Sequence, residues 1–72
     1  MPRLPLLSAQ KVVRSLEKFG YKIIRQRGSH MRLACPDRPS ITVPNYKTID
    51  RSLLTKILRD VDISPDEFLS KE

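Results

Sequence analysis

Apolar residues between positions 12 and 19 recur with the period of an α-helix, at Val12, Val13, Leu16 and Phe19. Ser8 can cap the start of this helix and Gly20 is suited to its end, so the pattern predicts a helix over about residues 9–19. The side opposite the apolar stripe carries lysine and arginine. We therefore expect the helix to bury one side and to present a basic surface on the other.

A strand pattern replaces the helical one in the middle of the chain. It predicts three strands that form an antiparallel meander, over residues 21–27, 30–35 and 40–43. Gly28-Ser29 can connect the first two strands tightly, residues 36–39 have turn chemistry, and Pro44-Asn45 ends the third strand.

Alternation assigns the side chains of the first two strands to opposite faces of the sheet. The second strand divides into an inward and an outward set, which are Met31, Leu33 and Cys35 against His30, Arg32 and Ala34. In the first strand, alternation places Arg25 and Arg27 on one face and Lys22 on the other. We expect His30 and Arg32 to point away from the core together.

Helical patterns return in the last third of the chain. Asp50 can cap a second helix, whose broad apolar stripe runs over residues 53–61. Residues 64–67 form a capping box with proline at the first helical position, and Phe68 and Leu69 anchor the short turn that follows. The sequence thus predicts one α+β domain over residues 1–72, in the order α-β-β-β-α, with two helices on one face of a three-stranded antiparallel sheet and a short C-terminal helical turn.

Charge is distributed unevenly along the chain. Fourteen Lys and Arg against eight Asp and Glu give a net charge of +6. Residues 1–59 hold thirteen of the basic side chains and three of the acidic ones, so the main body is positive and the tail is negative. Such a field attracts nucleic acid, acidic protein surfaces or anionic lipid, and composition alone does not choose among them.

Several classes of site and location are disfavoured by composition. The single cysteine, Cys35, has no intramolecular disulfide partner, and one histidine leaves no Cys/His set for structural zinc. The start of the chain lacks the apolar run of a signal peptide, and no segment approaches the length that crosses a bilayer. We expect a cytoplasmic protein with no membrane association and no bound metal.

Candidate chemistry concentrates at the predicted hairpin, where the only histidine, His30, has arginines on both sides in sequence. An imidazole can exchange a proton near neutral pH while guanidinium groups hold a phosphate nearby. Lys22, Arg25, Arg27 and Arg32 have no acidic residue among them and repel one another unless an anion joins them. This combination points to chemistry on a polyanion, with RNA as the leading candidate.

The neighbouring residues have more than one interpretation. Gly28 is expected to be a structural turn residue, and Ser29 either donates a hydrogen bond to phosphate or simply fills the turn. Tyr46 and Lys47 follow the third strand as further candidates for RNA binding. Tyr46 can stack on a base, donate a proton or merely pack against its neighbours, and packing is favoured.

Nearly the whole chain resembles the HicA (YcfA-like) toxins of bacterial and archaeal toxin–antitoxin pairs. The matching blocks are Lys18-Phe19-Gly20-Tyr21, Arg25-Gln26-Arg27-Gly28-Ser29-His30, Thr42-Val43-Pro44, Leu54-Thr55-Lys56-Ile57-Leu58 and Ile63-Ser64-Pro65-Asp66-Glu67-Phe68-Leu69. The resemblance implies a double-stranded-RNA-binding-like fold, an mRNA interferase that needs no metal or other cofactor, and a HicB-type antitoxin as partner.

The same resemblance maps the essential histidine of the family onto His30. Members of the family often carry a second histidine two positions after the proline of the Val-Pro segment, and this chain has Tyr46 there. The departure leaves the proton donor to the leaving group open.

Three hypotheses follow from these residues. In the first, the protein is a ribonuclease toxin in which His30 removes a proton from a ribose 2′-hydroxyl, so that RNA is cut and DNA is not. In the second, it is a non-catalytic RNA-binding module of the same fold, in which the histidine only contacts phosphate or 2′-hydroxyl. In the third, the basic face is a docking surface for an acidic protein.

Overall fold

The computed structural model describes residues 4–71 and has the predicted order of elements. These are α1 (Ala9–Glu17), β1 (Lys22–Arg27), β2 (His30–Cys35), β3 (Arg38–Pro44), α2 (Arg51–Asp60) and α3 (Pro65–Ser70). Residues 1–3 and Glu72, which the predicted domain includes, lie outside the described part. No helix within residues 4–71 is long and apolar enough to span a membrane.

The three strands form one antiparallel sheet in the order β1-β2-β3, and the helices cover one of its faces. On the covered face the sheet contributes four buried side chains to the core, which are Met31, Leu33, Ile41 and Val43. Apolar residues of α1, α2 and α3 complete this core, among them Leu16, Leu54 and Phe68. The α+β prediction is confirmed, and the second face of the sheet is left open to solvent.

Each helix begins with the capping interaction that its sequence predicts. The Ser8 side chain accepts a hydrogen bond from the Lys11 backbone N–H, and the Asp50 carboxylate accepts one from that of Leu53. In α3, Ser64 and Glu67 form a reciprocal capping box. The hydrogen bonds from Ser64 hold the pKa of Glu67 below its ordinary value. The capping box therefore stabilises the fold fully at pH values above that ordinary pKa, and its stabilisation is lost as the carboxylate is protonated in acid.

The bounds of three elements differ from the prediction, and the smallest difference is in β1, which begins at Lys22 and not at Tyr21. Helix α1 ends at Glu17, and Gly20 follows it with a φ of +106°, a conformation that favours glycine. Strand β3 is longer than residues 40–43, because Arg38 and Pro39 belong to it and not to the preceding turn. Proline is tolerated there because β3 is an edge strand, where its missing N–H need not bond to a neighbour.

A β-bulge in β1 contradicts the predicted placement of Lys22. The register shifts between Ile23 and Arg25, so that Lys22 lies opposite Ala34 whereas Arg25 lies opposite Arg32. Because directly opposite residues share a face and Ala34 and Arg32 are two positions apart, Lys22 and Arg25 lie on the same open face. Simple alternation had separated them, since it assumes one residue on β1 for each residue on β2.

The segment before α1 is also part of the fold. Leu4 and Leu7 are buried, and the backbone N–H of Ile49 donates to the carbonyl oxygen of Leu7 at 2.6 Å. The Arg51 side chain donates to the carbonyl oxygen of Leu4 at 2.7 Å. These contacts join the start of the chain to the start of α2, a pairing that local sequence patterns do not predict.

Tyr21 stabilises the fold in a way that depends on pH. It is 2% exposed, and its hydroxyl donates a hydrogen bond to the Pro39 carbonyl oxygen at 2.7 Å. Burial raises the pKa of Tyr21 above its ordinary value of 10.0; negative charge on Cys35 acts in the same direction, and Arg38 opposes it. The folded state favours the neutral form of Tyr21. The stabilisation that this side chain gives the fold is therefore complete below the pKa that Tyr21 has in the unfolded chain, and it is lost as pH rises through the higher pKa of the folded state.

Replacing Tyr21 with phenylalanine is therefore expected to cost about 1 kcal/mol at neutral pH, where the hydrogen bond is lost. Above about pH 10 the variant should lose less additional stability than the intact chain, because it has no phenol to ionise. Urea unfolding at neutral and alkaline pH measures both effects. Equal losses of stability at alkaline pH in the two proteins would contradict the role given to Tyr21.

Candidate functional site

The hairpin between β1 and β2 positions His30 beside Arg27. The two residues are register partners on either side of the turn Gly28-Ser29. Gly28 has a φ of +52°, at the position where a type II′ hairpin turn takes glycine. The tip is fixed from the other side, because the Asn45 backbone N–H donates to the Ser29 carbonyl oxygen. A compact turn thus holds the histidine at the start of β2.

Register partners build an ordered array around His30 on the open face. Arg27 lies across from it on β1 and Pro44 on β3. Two residues further along β2, Arg32 has Arg25 on one side and Thr42 on the other, about 5 Å away on each neighbouring strand. The Arg32 guanidinium donates to the Thr42 hydroxyl oxygen at 3.0 Å, which fixes its orientation.

These side chains line a cleft of about 390 Å³ that we call the His30 cleft. Its lining residues are Ile24, Arg25, Arg27, His30, Arg32 and Thr42. All of them except Thr42 are exposed, and Thr42 is half-buried. The cleft therefore combines one imidazole with three guanidinium groups on a surface that a polymer can reach.

The cations of the open face have no carboxylate partner among residues 4–71. In that part of the chain the one ion pair joins Lys56 to Asp60 on α2, on the covered side of the sheet. Three guanidinium groups without a neutralising acid attract an anion, and arginine binds phosphate with paired N–H donors. The electrostatics of the His30 cleft suit a phosphate group.

The other predicted site residues occupy different places. Lys22 lies on the open face in a neighbouring cleft, and Ser29 is exposed in the hairpin turn and does not line the His30 cleft. Tyr46 and Lys47 line a separate cleft at the start of α1, together with Ser8, Gln10 and Asn45. Tyr46 is 52% exposed and is not one of the buried core residues.

Two residues of the His30 cleft were missed at the level of sequence, Ile24 and Thr42. Thr42 could have been found by extending alternation to the third strand, because it is the outward residue between Ile41 and Val43. The sequence contains a weaker indication that Ile24 lies on the open face. Two adjacent isoleucines interrupt the alternation of β1, and such an interruption is compatible with a bulge.

The family model described as the HicA toxin of bacterial toxin-antitoxin matches residues 9–63, which is more than half of the chain.

The chain belongs to the HicA toxin family.

The match includes α1, all three strands and α2, and so it contains every residue of the His30 cleft. The HicA domain makes this chain the toxin of a toxin–antitoxin pair and implies an antitoxin as partner. The comparison with curated proteins found no match. Within the described residues, no three His, Cys, Asp or Glu side chains come together as metal ligands.

Proposed function

We propose that this HicA-family toxin is an endoribonuclease that cleaves mRNA in the cytoplasm and thereby blocks translation. The observation that supports the proposal most directly is the exposed His30 in a cleft with three arginines. The arrangement provides a group that exchanges protons and a set of groups that hold phosphate, within one array of neighbouring strands.

In the proposed reaction, His30 removes the proton from a ribose 2′-hydroxyl. The 2′-oxygen then attacks the adjacent phosphorus, and the bond from phosphorus to the 5′-oxygen breaks. The products are a 2′,3′-cyclic phosphate on one fragment and a 5′-hydroxyl on the other. No metal takes part, because the imidazole acts as the base and the substrate itself carries the nucleophile.

The arginines have a separate task in this mechanism. Negative charge on the phosphate oxygens grows as the 2′-oxygen attacks, and fixed cations stabilise that charge more than they stabilise the ground state. Arg27 is across from His30, and Arg32 is held by its hydrogen bond to Thr42. We assign the phosphate to the space between them, with Arg25 as the third cation.

In this proposal a water molecule gives a proton to the leaving 5′-oxygen, and the hydroxide that remains takes the proton that His30 removed from the 2′-hydroxyl. Arginine is too weak an acid to supply it, and Tyr46 lines a different cleft. The His30 cleft is open to solvent, so water can reach the leaving oxygen. A tyrosine in place of the second histidine is therefore compatible with activity.

We further propose that the antitoxin is of the HicB type and inhibits by covering the His30 cleft. A partner that places carboxylates against the arginines replaces the charge of the phosphate and excludes RNA at the same time. The absence of a carboxylate partner for these cations among residues 4–71 supports this form of inhibition.

The proposed reaction depends on the 2′-hydroxyl, and a substrate series tests this dependence. The intact protein is expected to cut single-stranded RNA in excess chelator, to leave DNA of the same sequence intact, and to produce a 2′,3′-cyclic phosphate end. RNA with a single 2′-deoxy position should lose the cut at the linkage that follows it. Denaturing electrophoresis and end-group analysis by mass spectrometry measure these outcomes.

A non-catalytic RNA-binding module would give a different result in the same experiment. It would bind the RNA in a salt-dependent manner and leave every substrate whole. Cutting of DNA, or loss of all cutting in chelator, would instead contradict the 2′-hydroxyl mechanism. A protein without affinity for RNA would favour the third hypothesis, that of a docking surface for an acidic protein.

A further inference from the structure

Ile24 is the most exposed large apolar side chain of those identified on the described surface, at 61%. Its position follows from the bulge in β1, which turns an additional residue to the open face beside Arg25. Ile23, its neighbour in sequence, lies opposite the buried Leu33 on the covered side. Ile24 therefore offers an apolar contact surface directly beside the cations of the open face.

Ile24 also separates two clefts. On one side it lines the His30 cleft, and on the other it lines a second cleft of about 430 Å³, which we call the Lys22 cleft. The lining of the Lys22 cleft is Gly20, Lys22, Ile24, Ala34, Cys35 and Pro36. Most of this lining is apolar, and Lys22 supplies one cation at its edge.

We propose that the Lys22 cleft holds a nucleotide of the RNA one step beyond the two that flank the cleaved linkage, with its base packed against Ile24. The proposal deepens the proposed ribonuclease function and rests on it. The two clefts share Ile24 as a lining residue, so an RNA strand that occupies both of them passes over this side chain. The cleft thus becomes a subsite for one base of the substrate.

The composition of the cleft favours a nucleotide over an apolar protein segment. A nucleotide joins a flat base, whose faces pack on apolar surfaces, to an anionic phosphate, and the cleft joins an apolar floor to Lys22. Lys22 and Arg25 flank Ile24 on the same face, and no described carboxylate pairs with either of them. Ala34 lies four residues from His30 along β2, about 13 Å, which exceeds the reach of a single nucleotide and suits one beyond the two that flank the cleaved linkage.

The chain contains a matched control for testing this subsite. Ile24→Ala truncates the side chain on the open face, and Ile23→Ala makes the same change one residue away on the covered side. The probe is a single-stranded 2′-fluoro RNA of about eight nucleotides, which lacks the nucleophile and is not cut. In a series of such probes, an abasic residue replaces the nucleotide at each position in turn. Fluorescence anisotropy measures binding, and cleavage of unmodified RNA is measured on the same preparations.

We expect Ile24→Ala to weaken binding of the complete probe about tenfold, because three partly covered apolar carbon atoms lose their contact with the base. Ile23→Ala should bind as the intact protein does. One probe of the series should lack the base that contacts Ile24. For that probe, Ile24→Ala and the intact protein should have the same affinity. That coupling identifies a contact between the side chain and a base.

Two results would overturn the subsite while leaving the proposed function standing. The first is RNA cleavage by the intact protein together with equal binding by the two isoleucine variants. The second is an Ile24 effect that persists at every abasic position, because such an effect does not come from a base. Failure of the intact protein both to bind the probe and to cut unmodified RNA would overturn the proposed function and the subsite together.

Discussion

Replacing His30 with alanine is expected to lower the rate of RNA cleavage by about 100- to 10,000-fold, the range that general base catalysis supplies. The variant keeps Arg25, Arg27 and Arg32, so its affinity for a 2′-fluoro RNA should change little. Single-turnover cleavage and anisotropy measure the two quantities separately. A large loss of rate with preserved affinity is the signature of a group that acts on the reacting atoms and not on binding.

The control for this experiment lies in the same hairpin. Gln26 is exposed and lies opposite the buried Met31, so its side chain belongs to the covered side, outside the His30 cleft. Gln26→Ala should cleave RNA at the rate of the intact protein. Equal cutting by His30→Ala and the intact protein would refute the catalytic role of His30. If His30→Ala lost affinity for RNA to the same extent as it lost cleavage rate, His30 would be a residue that binds the substrate and not the catalytic base.

Local patterns were sufficient to predict most of the fold. The helical stripe before Gly20, the cap at Asp50 and the capping box at Ser64 each depend on residues within a few positions, and each is found as predicted. The hairpin depends on Gly28 and on the alternation that follows it, which is why β2 has the predicted bounds. These features are local in sequence, and their physical causes are local as well.

The bulge in β1 was beyond such reasoning, and it matters most for the site. Strict alternation from Arg25 places Lys22 on the covered face. The bulge inserts one additional residue into β1, so that Lys22 lies on the open face and Ile24 is exposed there as well. Whether a strand contains a bulge depends on how it packs against β2. The sequence therefore predicted His30 and its three arginines together but did not predict the second cleft beside them.

Strand β3 was predicted too short for a similar reason. Arg38 was assigned to a turn because two prolines surround it, yet its guanidinium donates to the carbonyl oxygens of Val61 and Asp62 at 3.0 and 2.9 Å. These acceptors lie at the end of α2, more than twenty positions away, and Asp62 has a φ of +59°. Arg38 thus holds the start of β3 against the end of α2 through contacts that no local window contains.

The last helix raises the question of whether the fold requires residues outside the family match. The match ends at Ile63, before α3 begins at Pro65. Phe68 of α3 is nevertheless fully buried among the core residues of the sheet and the longer helices. Its aromatic ring is one of the largest side chains in the interior, so we expect α3 to be required for folding.

Phe68→Ala is accordingly expected to lower the free energy of unfolding by about 3–5 kcal/mol, since it removes buried area and leaves a cavity. A domain of this size has a total stability of the same order, and the midpoint of thermal unfolding should fall by more than about 10 °C. Circular dichroism during heating and urea titration measures both quantities. RNA cleavage should decline with the folded fraction, because α3 contributes no residue to the His30 cleft.

The matched control is Asp66→Ala in the same short helix, where the side chain is exposed. This change should cost less than about 0.5 kcal/mol, because it alters neither the core nor the capping pair Ser64 and Glu67. A loss for Phe68→Ala as small as that for Asp66→Ala would show that the core is complete without α3. A loss several times larger would show that the folding unit extends beyond Ile63, because the interior closes only when the ring of Phe68 fills it.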